Sequence, residues 1–356
     1  MKVNTSHAQH AANLARWSRA RAVIAGEDEV KAAGETYLPK LDSQTTEEYN
    51  AYKKRACFFN ATGRTQDGFL GLLFRRDPAI KPGKEPGKSS QEIAAFLADV
   101  DMLGTSIGTY CKAVATSVLS VGRCGTLVDW NSELVARGYL SRYEAEDIVN
   151  WNMKKVGGRS VLGLVVLREL VPQVDPTDKF LVADVEQYRV LNLEAVSPGV
   201  EQYVVEVWQN VGKAESDWQM VKRTVPLRNG KPLDRIPFVF HGPRNCLPEV
   251  DNLPLEHIIH VNLDHYRLDA DYKHGLHFTA LPTAWVSGFE KSQDLRIGSS
   301  TAWVAEQSGA VAGFLEFRGL GLSTFENAQN RDERLMALLG SRMLEDTKRV
   351  GGAVQR

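Results

Sequence analysis

The chain has 356 residues, 43% of them hydrophobic and 24% charged, which is enough for two or three domains that each bury a core. These proportions lie close to the globular average and exclude a largely disordered chain or a fibrous repeat. Lys plus Arg (43) almost balances Asp plus Glu (44), so the strong positive excess of a protein that grips phosphates tightly is missing, and any contact with nucleic acid is expected to be local and transient.

No apolar run approaches the roughly 20 residues that span a bilayer, and the polar start from Met1 to His10 lacks the apolar segment of a secretory signal. Synthesis inside the cell and no membrane partner are the expectations. Residues 11–24 place Leu14, Trp17, Ala20 or Arg21, and Ile24 at helical spacing. After Gly26 and Gly34, the run Thr45, Thr46, Glu47, Glu48 opens a helix expected to continue through Tyr52 and Phe58. Residues 63–74 alternate small and apolar side chains, among them Gly68, Leu70 and Gly71, and read as a close-packing surface. Pro78, Pro82, Gly83, Pro86 and Gly87 make 77–88 an exposed linker. Ser89-x-x-Glu92 is a capping box, and Ile93, Phe96, Leu97, Val100 and Leu103 share one face, which predicts a helix over 89–103. A second helix, 105–120, leads through Gly122 and Gly125 into a strand at 126–130.

The texture then changes. Residues 161–170, 180–193, 203–211, 218–225 and 236–241 are β-branched or aromatic runs separated by Pro, Gly and Asn turns, so the middle third is expected to be antiparallel β structure. Asn252 or Asp251 followed by Pro254 caps a helix predicted to reach His274 and to end at Gly275. Arg267 with Asp271 and Asp269 with Lys273 are i,i+4 pairs on it. Strands at 279–287, 300–305 and 313–318 come next, and Ser323-x-x-Glu326 opens a last helix to about 346. Its stripe of Phe325, Ala328, Leu335, Leu338, Leu339 and Met343 is dense only in the second half, which is therefore expected to pack on the preceding strands with Leu338 in the core. The first half, with Arg331, Asp332, Glu333 and Arg334, is expected to face solvent or a docking partner.

The chain shows no catalytic machinery at the level of motifs. Cys57, Cys111, Cys124 and Cys246 have no C-x-x-C spacing and read as buried reduced thiols. His257 and His260 are three apart with Glu256 preceding both, whereas a zincin helix needs histidines four apart with Glu beside the first; packing roles are favoured, and no metal is expected. The glycine pairs lack a strand-to-helix phosphate cradle, and no G-x-S-x-G elbow is present. No cofactor and no catalytic residue are assigned. Arg16, Arg19 and Arg21, or Lys53, Lys54 and Arg55, could touch DNA, but a solvated helix face is favoured. Trp208 and Trp218 lie in strand-like runs and read as core.

The segments Trp17-Ser18-Arg19-Ala20-Arg21-Ala22-Val23-Ile24-Ala25-Gly26, Tyr37-Leu38-Pro39-Lys40-Leu41 and Arg235-Ile236-Pro237-Phe238-Val239 resemble an uncharacterised phage family grouped with tailed-bacteriophage portal proteins. The helix from His265 through Tyr272 and the following Gly275-Leu276-His277-Phe278-Thr279-Ala280-Leu281-Pro282-Thr283 carry the same resemblance. It implies an α+β, portal-like fold: a wing of helices and antiparallel strands over 1–250, a stem helix over 251–276, a small α/β clip over 277–346, and at 347–356 the start of a second stem and tunnel region that such portals continue into. It further implies a homo-oligomeric ring, usually of twelve copies, at the capsid vertex of a virion made in a bacterial cytoplasm. Double-stranded DNA would pass through it during packaging and ejection. The terminase large subunit, head-tail adaptors, and the major capsid and scaffolding proteins would be its partners. Asp264, Arg267, Asp271 and Lys273 become candidates for the channel face of the stem, and Arg331, Asp332, Glu333 and Arg334 for docking on the clip. A head-tail adaptor or other structural module is the alternative, and a hydrolase using the histidines stands behind it.

Overall fold

The computed structural model describes residues 2–80, 90–131, 137–174, 177–197, 199–212, 217–280, 283–288, 308–315 and 321–342. In chain order its helices are α1 (Ala8–Ala25), α2 (Glu27–Ala32), α3 (Thr46–Arg55), α4 (Ala61–Leu73), α5 (Ser90–Ala98), α6 (Ile107–Val121), α7 (Glu256–Ala280) and α8 (Leu322–Arg342). The strands are β1 (Cys124–Asn131), β2 (Arg137–Glu144), β3 (Ile148–Val156), β4 (Arg159–Val174), β5 (Val182–Ser197), β6 (Val200–Asn210), β7 (Trp218–Thr224), β8 (Leu227–Arg228), β9 (Lys231–Pro232), β10 (Phe238–His241), β11 (Thr283–Ser287) and β12 (Val311–Leu315). The fold is α+β, with antiparallel sheets. The chain divides into two compact units, Met1–Ile24 with Thr62–Glu256, and Ala25–Ala61 with His257–Arg356. Residues 25–61, expected to belong with the rest of 1–250, therefore group with the C-terminal part.

In the first unit, β3 to β7 form a five-stranded antiparallel meander, and a separate three-stranded sheet runs in the order β10-β1-β2. Strand side chains alternate between faces, and two clusters result. Val165, Leu167, Leu191 and Leu193 join Leu127, Tyr143, Phe238 and Phe240 of the smaller sheet in the larger cluster, whereas Val166, Tyr188, Val190 and Trp218 form a second cluster, with Trp208 packed against it. Ile148 and Trp151 enter the larger cluster together although they are an odd number of positions, three, apart. The register shift between Ile148 and Asn150 changes the alternation, as a bulge does.

Several helical boundaries depart from the expectation for local reasons. The close-packing stretch expected at 63–74 lies in a helix, α4, whose buried Thr62, Gly63, Gln66, Phe69 and Leu70 fall at helical spacing. The Gln66 amide donates to Ser120 Oγ at 2.6 Å and to the Thr116 carbonyl at 3.1 Å, fixing α4 to α6. Helix α5 stops at Ala98 instead of 103. The Asp99 carboxylate takes the Gly104 N–H, and that of Asp101 takes the N–H groups of Leu103 and Thr105, an alternative to the helical ladder that Asp side chains favour. Ser89 of the expected capping box lies outside the described residues. Helix α6 ends at Gly122, whose φ of 74° is left-handed and disfavours any side chain there. Strands β2 and β3 were not foreseen.

The basic side chains of α1 are engaged within the unit. Arg16 pairs with Glu256 at 2.7 Å, and Arg21 pairs with Glu144 at 2.9 Å and with Glu146. Between the sheets, Arg189 reaches Asp129 and Glu169, each at 2.7 Å. Arg123, 2% exposed, donates to the Pro248 carbonyl at 2.5 Å and lies over the rings of Trp151 and Phe240. Burial pushes its pKa down to about 9, so it remains charged at neutral pH, held by ring faces. Of the cysteines, all free, Cys124 is buried, Cys111 is half-buried, and Cys57 and Cys246 are exposed. Burial thus describes Cys124 and fails for Cys57 and Cys246.

Burial lowers the pKa of both His10 and His241. His10 Nε2 bonds the Glu146 carbonyl and His241 Nε2 bonds Thr126 Oγ1, while His10 Nδ1 is buried without a partner. Because the native histidines stay neutral below the unfolded value near 6.5, the unfolded chain takes up more protons there and stability falls as pH drops from about 7. Thermal melts should therefore show a smaller loss between pH 7.5 and 5.5 for the His10→Gln/His241→Gln variant than for the parent; equal losses would contradict this.

Candidate functional site

The second unit is organised by α7, 25 residues long. It begins at Glu256, after the expected cap, and continues through Gly275 to Ala280. Gly275 lies inside the helix, and a Cβ there would come 2.8 Å from Leu322 Cδ2 of α8. From that close approach α8 runs antiparallel along α7. Tyr272 OH donates to Glu326 at 2.5 Å, Gln329 reaches Asp269 at 3.4 Å, and His265 lies 3.5 Å from Glu333. Glu326, expected in a capping box with Ser323, instead accepts from Tyr272, and the helix starts one residue earlier at Leu322.

A buried apolar stripe of α7, Ile259, Leu263, Tyr266 and Ala270, is joined by a buried polar one, Asn262, His265 and Asp269. Asn262 donates to the Phe59 carbonyl at 2.7 Å, and Asp269 accepts the Cys57 N–H at 2.6 Å. Helix α3 is opened by the expected start signal, with Thr45 and Glu48 exchanging side-chain and backbone hydrogen bonds. It ends at Arg55, short of Phe58. Tyr52 OH donates to Asp271 at 2.6 Å, and burial followed by that bond drives the phenol pKa well up.

An open recess is lined by Asp42, Ser43, Glu48, Arg55, His274 and His277, among others. Burial, then the Arg55 cation, lowers the His274 pKa. Its Nδ1 lies 3.4 Å from Arg55 Nη2, and among the described residues no serine hydroxyl bonds a histidine there. His257 and His260 are exposed. No three His, Cys, Asp or Glu side chains converge as a metal site among the described residues. The recess has polar groups but no nucleophile and base arranged to act together.

The candidate channel residues divide by environment. Asp264 is exposed and pairs with Arg267 at 2.8 Å, and Arg267 also donates to the Tyr37 carbonyl at 2.9 Å. Lys273 makes the foreseen pair with Asp269, at 3.1 Å, while Asp271 is taken by Tyr52 and the Arg267–Asp271 pair gives way to Arg267–Asp264. On α8, Arg331 and Arg334 face solvent, whereas Asp332 is 5% exposed. Asp332, expected to face solvent or a partner, is thus buried, and Glu333 lies 3.5 Å from His265. The buried apolar residue of the second half is Met336, at 3% exposure, and Leu338 stands 44% exposed. Buried or half-buried residues recur on α8 at Leu322, Phe325, Gln329, Asp332, Met336 and Leu339 with helical period, and on this face Leu322 and Gln329 approach α7. Expected strand 300–305 and the end of the chain from 343 lie outside the described residues.

Residues 254–355 match a family described as a domain of unknown function (DUF4055). No curated protein matches the chain. Among solved structures, the chain is similar to one in "Neck of empty GTA particle computed with C6 symmetry", with a TM-score of 0.36 and 12% identity over 78% of this chain and 64% of that one. It is also similar to a chain in "Virion of native gene transfer agent (GTA) particle", with a TM-score of 0.34 and 11% identity over 87% of this chain and 72% of that one. The chain thus spans less than two thirds of the length of the neck chain.

The α7–α8 packing makes a direct prediction. Met336→Ala should destabilise the protein by about 2–5 kcal/mol, as truncation at a buried site does, while Leu338→Ala should cost less than about 1 kcal/mol. Urea denaturation of both variants checks the order, and a larger loss for Leu338→Ala would refute the packing face assigned to α8.

Proposed function

We propose that the chain is a subunit of a portal ring of a tailed bacteriophage, a conduit for double-stranded DNA and a platform for the packaging motor and head-tail adaptors. The observation that carries this reading is the order of elements after the β-rich unit: a 25-residue helix, two strands paired antiparallel and a 21-residue helix returning along the first. This order coincides with the residues whose sequence resembles portals at the stem and clip. In this reading α7 is the stem helix, β11 and β12 belong to the clip, and the first unit, with residues 25–61 set apart, supplies the wing.

The near balance of charge suits a conduit, since a surface that held each phosphate would retard the DNA passing over it. Asp264 and Arg267, the more exposed of the four stem candidates, are the pair this reading turns toward the channel, and their mutual neutralisation fits transient contact. Arg331 and Arg334 on the outer face of α8 are the docking residues for the motor or adaptor.

The full chain should form closed rings, seen by negative-stain microscopy and weighed by mass photometry. Arg331→Glu/Arg334→Glu should keep the rings while weakening attachment of the terminase large subunit or adaptor several-fold, since rim charges act on encounter and orientation. Monomers alone at high concentration would overturn the ring reading, and unchanged attachment would remove only the docking assignment.

A further inference from the structure

The hairpin of β4 and β5 outruns its own sheet. Pairing of β3 with β4 extends only to Leu167, and pairing of β5 with β6 begins at Gln187. Between these limits Leu170–Glu186, Val171–Val185, Pro172–Asp184, Gln173–Ala183 and Val174–Val182 are paired with no third strand beside them among the described residues, and Glu186 also accepts the Tyr188 hydroxyl at 2.9 Å. The result is a two-stranded ribbon. An isolated ribbon of this kind is marginal in water, and the exposed Leu170, Val174, Leu181 and Val182 along it, with Phe180 84% exposed near its tip, are what an interaction site carries.

A second surface in the same unit complements it. Strand β7 ends the order of the five-stranded sheet and so has one edge unpaired among the described residues, and after the buried Trp218 every residue to Thr224 is exposed. Met220, Val221 and Leu227 supply apolar area. Residues 218–232 hold Lys222, Arg223, Arg228 and Lys231 and no acidic residue, while residues 177–186 of the ribbon hold Asp178, Asp184 and Glu186 against the single base Lys179. Arg223 already pairs with Glu194, which leaves Lys222, Arg228 and Lys231 as the main cations of the strip.

From this complementarity we infer that the β4–β5 ribbon of one copy docks on the β7 edge strip, residues 218–232, of a second copy of this chain. The two surfaces differ, so the contact is head-to-tail, the kind that propagates around a ring when the rotation closes. Apolar side chains supply buried area, and the opposite charges set orientation and exclude ribbon-to-ribbon or strip-to-strip pairing. This inference rests on the ring reading and names the surfaces that would build it.

Charge reversal with mixing separates the two. The Asp184→Lys/Glu186→Lys chain carries two basic surfaces, and the Lys222→Glu/Arg228→Glu/Lys231→Glu chain carries two acidic ones. Each should self-associate at least tenfold more weakly than the parent in sedimentation velocity, with unchanged circular dichroism because the sites are exposed. An equimolar mixture should recover the parental assembly, since each ribbon then meets an opposite strip. Phe180→Ser/Leu181→Ser should weaken association and gain nothing from mixing. Parental rings with undiminished assembly of either reversed chain would overturn the docking assignment and leave the ring reading standing. A parental chain that stays monomeric would overturn both. Loss of binding to a labelled DNA duplex by Lys222→Glu/Arg228→Glu/Lys231→Glu, with association intact, would reassign the strip to nucleic acid and likewise overturn the inference.

Discussion

The second unit depends on two side chains of α7 that hold an irregular backbone. The stretch after α3 has no strand beside it, so its polar groups need partners from side chains. Asn262 meets the Phe59 carbonyl and Asp269 meets the Cys57 N–H. These bonds place the aromatic Phe58 in edge contact with Tyr266, and Asp269 also reaches Lys273 and Gln329. One carboxylate thus connects the 57–59 segment, the next turn of its own helix, and α8. Removing it would leave a backbone donor without its acceptor, a loss typically of about 1–3 kcal/mol when the group is buried.

In the first unit the corresponding constraint is the alternation of strand side chains between two clusters, with Arg189 bridging the sheets to Asp129 and Glu169. Tyr143 OH also donates to Glu169. These charges are well matched to one another, so their role lies more in fixing how β1, β4 and β5 stack than in net stabilisation, which buried ion pairs supply poorly. The same regularity makes the ribbon beyond Glu169 conspicuous, because there the alternation continues with both faces largely exposed.

Elements with strong periodicity were readable in the sequence: α1, α3, α6, α7, α8 and the long strands of the meander all form near their expected places. The failures have particular causes. Glycines at 63, 68 and 71 hid α4, whose burial includes one of those glycines and Gln66. Ser-x-x-Glu was read as a cap at Ser323, but a partner helix claimed Glu326. Gly275 looked like a terminator and is a contact point. Leu338 was read as core because stripe density was counted without knowing that the covered face of α8 is the one bearing Asp332 and Met336. In each case a tertiary neighbour, invisible to local pattern, decided between two locally acceptable outcomes. Of the candidate site, the sequence indicated which charged residues lie on α7 and α8. It could not indicate that Asp271 and Asp332 are turned inward.

A portal ring occupies a single vertex, and this gives the reading its sharpest consequence. Phage heads carrying an epitope tag on the chain, labelled with gold-conjugated antibody and viewed by electron microscopy, should show label at one vertex only, where the tail joins. Label spread over the shell, or none on intact particles that contain DNA and tails, would contradict the account.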